Sequence, residues 1–433
     1  MKTIKDKLLA ILHDRPLLIW GARMTGIGFL RFAKKHNLNV IGFVDSDPSL
    51  NGAKISNVPI CSPDKIVSLM PQYKKLAIII AVSIKEDEII DVLKRMGLSR
   101  NDYIKYSEYC EYFFTIDVVG TCNLKCPSCV YSMENITYPK GFMSFDDFKK
   151  IIKKMLREVG IVSHISFYSW GEPFLHPQMN LFIEYAHSMG IATAVSTNLS
   201  ISSSKQIKKI IKSSPDYLKI SLSGYYPEIY NSTHTGGDIN LVKSNLYKIK
   251  YLLEKYKTSI FVEVNYHLYK NNYDNDQKKM KELCDELDFS FAPCYANVTP
   301  IERLIDYCEG NLDFKTKDFL KLLLVDIDKG LEITKNYRNL SCRFLTNQVN
   351  INWDRSVPLC CVCFDRTKPI IISDDYLKDS LQNISTKKEN HPLCKKCLGY
   401  GFPPYLLGVN QKGWKEEANR NISKNNMSTT KAL

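Results

Sequence analysis

Three cysteines, Cys122, Cys126 and Cys129, fall in the run Cys122-Asn123-Leu124-Lys125-Cys126-Pro127-Ser128-Cys129. Three thiolates this close together can hold three irons of a [4Fe–4S] cube and leave the last iron open as a reaction site. Zinc is the rival occupant. It ordinarily takes four protein ligands when structural, and no fourth Cys or His lies close to this loop, the next histidine being His164 on the following predicted strand.

Cys342, Cys360, Cys361, Cys363, Cys394 and Cys397 form a second group within 56 residues. Four thiols suffice for a closed cluster, and four with a Cys-x-x-Cys pair serve a structural zinc equally well. Cys61, Cys110, Cys284, Cys294 and Cys308 stand alone and read as small buried apolar residues. Fourteen cysteines in a chain with no apolar run of signal-peptide length at its N-terminus point to metal ligation over disulfides, and so to the cytoplasm. No stretch approaches the roughly 20 apolar residues of a membrane span.

A third candidate is the turn Gly21-Ala22-Arg23-Met24-Thr25-Gly26, between a predicted strand and helix, with Asp45 ending the next strand 19 residues after Gly26. This is where a dinucleotide fingerprint sits, with Arg23 on the second glycine position, so Gly21, Arg23, Gly26 and Asp45 become candidate nucleotide contacts. An arginine there could strengthen contact with a diphosphate. The rival reading is a scaffold that binds nothing.

The elements that must carry these residues alternate between strand and helix, which implies parallel sheets. In the first part, Leu17 to Trp20, Val40 to Val44 and Ile78 to Val82 read as buried strands. A second alternation predicts strands at Phe113 to Val119, His164 to Ser169, Ala192 to Thr197, Tyr217 to Leu222, Ile260 to Tyr266 and Phe289 to Tyr295. Helical patterns fall between them, the first started by Ser144 before Asp146 and Asp147. Six βα units suggest a partial barrel, with the first cysteine group at the carboxyl end of its first strand, where barrel sites form.

Beyond about residue 335 the pattern turns irregular, and the polar run from Lys412 is expected to be mobile. The formal charge of +13 is scattered over lysine-rich helix faces such as Lys149 to Lys154, so no nucleic-acid partner is expected.

The CxxxCxxC spacing followed by six βα units resembles the radical S-adenosylmethionine (SAM) superfamily over roughly residues 112–300. Trp170-Gly171-Glu172-Pro173 resembles that family's GGEP segment, with Trp170 in place of the first glycine; the resemblance implies that Glu172 binds the SAM amino group. Ser196-Thr197-Asn198 and Ser221-Leu222-Ser223-Gly224 resemble the next two SAM-facing segments, implying contacts from Ser196, Asn198, Ser221 and Ser223, the last standing where aspartate is usual. His234 stands where many relatives have arginine. The second cysteine group resembles the single-cluster twitch form of the SPASM extension, implying Cys342, Cys360, Cys394 and Cys397 as ligands, with Cys361 or Cys363 as substitutes and Arg355 where glycine is usual. Val44-Asp45-Ser46-Asp47-Pro48 and its surroundings resemble nucleotide- or sugar-nucleotide-binding Rossmann domains of surface-polysaccharide biosynthesis.

Together these resemblances imply an α/β chain: a Rossmann-like parallel-sheet domain over 1–108, a partial (β/α)6 radical SAM barrel over 109–305, linker helices and a small cysteine-rich cluster domain over 306–410, and a flexible tail over 411–433. The cofactors implied are a SAM-binding [4Fe–4S] cluster, SAM and a second, auxiliary [4Fe–4S] cluster. The partner implied is an external one-electron donor such as flavodoxin or ferredoxin. The activity implied is reductive cleavage of SAM to a 5′-deoxyadenosyl radical that abstracts hydrogen from a small-molecule, sugar or sugar-nucleotide substrate. A peptide-modifying maturase and a non-catalytic iron–sulfur redox sensor are the alternatives.

Overall fold

The computed structural model describes residues 3–82, 86–133, 139–364 and 370–430. Its first layer is a six-stranded sheet of β1 (Leu17–Trp20), β2 (Val40–Val44), β3 (Lys54–Ile55), β4 (Val58–Cys61), β5 (Ala77–Ile80) and β6 (Tyr103–Lys105) in the order β3-β4-β2-β1-β5-β6. Every pair is parallel except β3 with β4. β1 and β5 are apolar at every position and buried on both faces, as central strands of a parallel sheet must be. β4 is four residues interrupted by Pro59, and β6 is three residues ending in Lys105, which is why no apolar run announced them.

The second sheet holds seven parallel strands in the order β12-β11-β10-β9-β8-β7-β13: β7 (Phe113–Ile116), β8 (His164–Phe167), β9 (Ala192–Thr197), β10 (Tyr217–Leu222), β11 (Phe261–Leu268), β12 (Ser290–Tyr295) and β13 (Gln348–Ile351). Six of them follow in chain order with a helix between each pair, as the alternation predicted. The helix Phe145–Val159 starts at Ser144, whose hydroxyl accepts from the Asp147 N–H at 3.0 Å, and its apolar side carries Phe148, Ile151, Ile152 and Met155 into the core. The seventh strand was not foreseen. β13 runs Gln-Val-Asn-Ile, too polar to read as a strand, yet all four residues are buried against β7, with Gln348 Nε2 donating to Thr115 Oγ1 at 3.0 Å.

The two sheets share a core. Helix Met24–Lys35 packs on β8 and β9, and Ala194 and Tyr217 of the second sheet, with Ile161 just before β8, join the apolar cluster of the first. Arg31 Nη2 meets Asp216 at 2.6 Å just before β10, and a Cβ on Gly28 would lie 2.1 Å from Ser163 Oγ, just before β8. The first sheet therefore docks at the amino-terminal edge of the second, opposite the cysteine loop.

The expectation of a mobile tail is corrected. Residues 411–430 are helical, and Trp414 and Ala418 are buried, with Trp414 stacked on Tyr295 at 5.3 Å and packed on Tyr405 at 5.7 Å. A polar helix escapes an apolar-content reading when one tryptophan supplies most of its anchoring area. Residues 431–433 of that predicted tail lie outside the described residues.

Candidate active site

At the carboxyl edge of the second sheet the strand ends surround a cavity of about 600 Å³. Cys122 and Cys126 line it from the loop after β7, Gly171 and Glu172 from the loop after β8, and Ser196, Asn198 and Ser221 from the ends of β9 and β10. Loops at this edge converge because every strand of a parallel sheet points there.

Cys122 is the focus of the polar contacts. Its Sγ accepts from the Leu124 N–H at 3.5 Å and from Asn198 Nδ2 at 3.6 Å. Glu172 is buried, and its two oxygens accept the Phe174 N–H at 2.9 Å and the Asn198 N–H at 2.8 Å, so one carboxylate ties the loops after β8 and β9 together. Burial raises that carboxyl to about 7 against its backbone hydrogen bonds. Burial, with Glu172 adding to it, pushes the Cys122 thiol up to about 12; burial and the neighbouring thiols raise Cys126, and burial raises Cys129. Three desolvated thiols with N–H donors aimed at one sulfur suit thiolates that bind a polycationic group, whose charge reverses the penalty of burial.

Two groups that hold this loop escaped the sequence reading. Asp117 is buried and accepts the Trp170 N–H at 3.1 Å and the Gly171 N–H at 3.2 Å, and a Cβ on Gly171 would fall 1.7 Å from the Val119 carbonyl oxygen. Only glycine allows β7 and the GEP segment to meet so closely. The available signal was an acidic residue inside the apolar strand Phe-Phe-Thr-Ile-Asp-Val-Val. Arg303, also buried, donates to the Pro127 carbonyl at 2.9 Å and so braces the loop from beneath. No local pattern marks it, because its partner lies 176 residues away.

Of the predicted SAM-facing residues, Ser196 and Ser221 have their hydroxyls 3.4 Å apart on the cavity wall. Ser223 is corrected: it is fully buried, its hydroxyl engaged by Thr233 and, at 2.8 Å, by His234 Nδ1. His234 lines the cavity in its place, stacked on Tyr230 at 4.7 Å and held neutral by burial, which lowers it to about 3. The deeper wall carries Lys219, Asn265, His267 and Cys294, none of which the sequence reading singled out for chemistry. Burial alone would raise the Cys294 thiol, but His267, Lys219 and Asn265 together bring it below its ordinary value. Tyr405, Leu406, Gly408, Gln411 and Trp414 close the remaining side.

Cys342, Cys360, Cys363, Cys394 and Cys397 border one small apolar cavity with Ile301, Phe344 and Leu359, whereas Cys361 does not line it. Buried Lys388 stands among these thiols, its Nζ donating to the carbonyls of Phe344 at 2.7 Å and Gln348 at 2.6 Å. Arg355 sits at φ +70° in the preceding turn and spans Asp147 at 2.8 Å and Asp375 at 3.1 Å. Trp170 stands between the two cysteine groups: its indole N–H donates to the Cys363 carbonyl at 3.2 Å, and its ring meets Phe364 at 5.5 Å in an apolar cluster against which Cys122 and Cys129 also pack. Among the described residues, no three His, Cys, Asp or Glu side chains close round a single ion.

The nucleotide contacts expected in the first sheet are otherwise engaged. The Arg23 guanidinium bonds Glu263 of β11 and, at 2.9 Å, Asp47; Glu263 also accepts the Tyr217 hydroxyl at 2.5 Å. Asp45 caps its own loop, accepting the Ala22 N–H at 2.8 Å and the Asp47 N–H at 2.9 Å. Gly21, at φ +115°, and Gly26 are demanded by close packing, since a Cβ would lie 2.6 Å from the Ala81 oxygen or 1.8 Å from the Gly21 oxygen respectively.

A family model described as the Radical SAM superfamily matches residues 116–284. A probable GTP 3′,8-cyclase of Methanococcus maripaludis is 33% identical over 135 residues, 31% of this chain and 44% of that protein. The chain thus spans less than half the length of this curated relative. A tungsten-containing aldehyde ferredoxin oxidoreductase cofactor-modifying protein of Pyrococcus furiosus is 26% identical over 263 residues, 57% of this chain and 70% of that protein. Among solved structures, Streptococcus suis SuiB bound to S-adenosylmethionine superposes with a TM-score of 0.44 and 17% identity over 70% of this chain and 76% of that one.

Proposed function

We propose that this radical SAM domain binds a [4Fe–4S] cluster on Cys122, Cys126 and Cys129 and cleaves SAM to start hydrogen abstraction from a small polar substrate held in the cavity. The observation that carries the reading is the convergence of Asn198 and Glu172 on Cys122 at the cavity mouth, with Asn198 bonded to both. When bound, cluster and cofactor supply one-electron cleavage of the sulfonium and a 5′-deoxyadenosyl radical. The chain's own residues orient and enclose. Glu172 offers a buried carboxylate to an ammonium, Asn198 and Ser196 offer an amide and a hydroxyl group respectively, and the Tyr405–Trp414 side closes the chamber. The donor for the electron is an external low-potential protein.

A second cluster on Cys342, Cys360, Cys394 and Cys397 is the companion proposal, with Cys363 as a further candidate ligand because it borders the same cavity. Buried Lys388 supports it, since an ammonium among several thiols offsets the negative charge of thiolate ligands. The thiols border one common space, as a polynuclear cluster needs.

Anaerobically purified protein should carry iron and sulfide, show a reduced-cluster EPR signal, and form 5′-deoxyadenosine from SAM with dithionite. Cys126→Ala should lose the product while retaining the iron of the second site. Full cluster loading with persistent absence of 5′-deoxyadenosine would defeat the proposal, and zinc at the second site would defeat its companion.

A further inference from the structure

Lys219 extends from the middle of β10 into the cavity wall, half-buried, and among the described residues its ammonium makes no ion pair or hydrogen bond. An ammonium withdrawn from bulk water without a counter-charge is costly, and proteins retain one where a ligand supplies the anion. The carboxylate beside it does not answer the charge. Glu263, its register partner on β11, gives its oxygens to Arg23 and Tyr217, and Arg23 adds a second positive charge on the same side. The Cys294 thiol is near and is drawn below its ordinary value by His267, Lys219 and Asn265, but it makes no hydrogen bond with the ammonium.

Ser221 and His267 line the same wall of the cavity, with Ser221 opposite Asn265 and His267 opposite Cys294 in strand register, while the Asn265 amide is taken by the Ala292 carbonyl at 3.4 Å and by Cys294. We infer that this part of the cavity binds an anionic group of the substrate, a carboxylate or a phosphate, with Lys219 as its principal contact. This deepens the proposed function and rests on it. A carboxylate could come from SAM itself. The Cys122–Glu172–Asn198 cluster lies at the strand ends, whereas Lys219 is two residues, about 7 Å of strand, before Ser221 and so further inside, which assigns the subsite to substrate.

The test uses holoprotein with reconstituted clusters, crystallised anaerobically with SAM and soaked in sodium bromide. The expected result is an anomalous bromide peak in contact with Lys219 Nζ while the SAM carboxylate lies elsewhere, and loss of that peak in Lys219→Met. No peak in the wild type, as when a Cys294 thiolate already answers the charge, overturns the inference. So does a peak unchanged in Lys219→Met, or a SAM carboxylate on Nζ. A loaded cluster without SAM density would count instead against the SAM reading, and the bromide peak is read independently of it. Lys219→Met should also melt at or above the wild-type temperature, since it removes an unpaired charge. A fall of more than about 5 °C would make Lys219 a structural residue and sink the proposal.

Discussion

Replacing Arg23 by methionine tests how the first sheet is fastened to the second. The change keeps much of the side-chain volume but removes the guanidinium, leaving Glu263, 4% exposed, with the Tyr217 hydroxyl as its remaining hydrogen-bond partner. Stranding a buried charge this way costs about 3–5 kcal/mol. The Arg23 side chain is 39% exposed, so water already weakens the pair from that side and the expected cost falls to about 2–3 kcal/mol. At a urea m-value of about 2–3 kcal/mol/M, the unfolding midpoint should drop by roughly 1 M. Arg23→Met/Glu263→Gln should cost less than the sum of the single variants, because no uncompensated carboxylate remains. Hydrogen exchange in helix Met24–Lys35 should quicken in Arg23→Met alone. A midpoint indistinguishable from wild type would refute the argument, as would wild-type binding of a sugar nucleotide that Arg23→Met abolishes, since either outcome would free Arg23 for a ligand.

Four further outcomes follow from single contacts. Gly171→Ala would force β7 and the Glu172 loop apart, costing about 1–3 kcal/mol and abolishing SAM binding by calorimetry; unchanged SAM affinity would refute the glycine's role. Arg355→Gly gains about 1–2 kcal/mol by relieving a positive φ, but loses two partly exposed ion pairs and adds unfolded-state entropy, so the urea midpoint should move little, and a drop equivalent to 3 kcal/mol or more would contradict this balance. Trp414→Ala should cost about 3–5 kcal/mol and increase bulk-water access to the cavity, read as faster exchange along Phe402–Leu406; a neutral effect would restore the mobile tail.

His164 is buried with Nδ1 unpartnered, and burial lowers it to about 4 despite the nearby Asp216. Because its folded value lies below the unfolded one, its contribution is complete above pH about 6.5 and is lost as pH falls toward 4, about 3 kcal/mol in all. His164→Phe should flatten that acid limb in urea titrations between pH 7 and 4, and an unchanged limb would exclude His164 as its source.

What was legible in the sequence was whatever local spacing encodes. Consecutive βα units showed as strand-length apolar runs between amphipathic helices, and the CxxxCxxC loop, Glu172, Asn198 and the later thiols showed as short motifs at predicted strand ends. β13 stayed hidden because Gln348 and Asn350 break its apolar pattern although both are buried, Gln348 with a partner on β7, and the tail helix because one tryptophan anchors an otherwise polar segment. Arg23 read as a nucleotide contact because its turn has the right local shape, while the carboxylate that claims it arrives from 240 residues away.

The sequence by itself determined the parallel α/β layout and which thiols could act together, since both depend on residues close along the chain. Only the tertiary structure decided that Asp117 and Arg303 brace the cysteine loop, that Ser223 turns away from the cavity, and that Lys219, His267 and Cys294 share its inner wall. Those outcomes depend on how strand ends and distant loops meet, and on which buried charges find partners once water has been excluded.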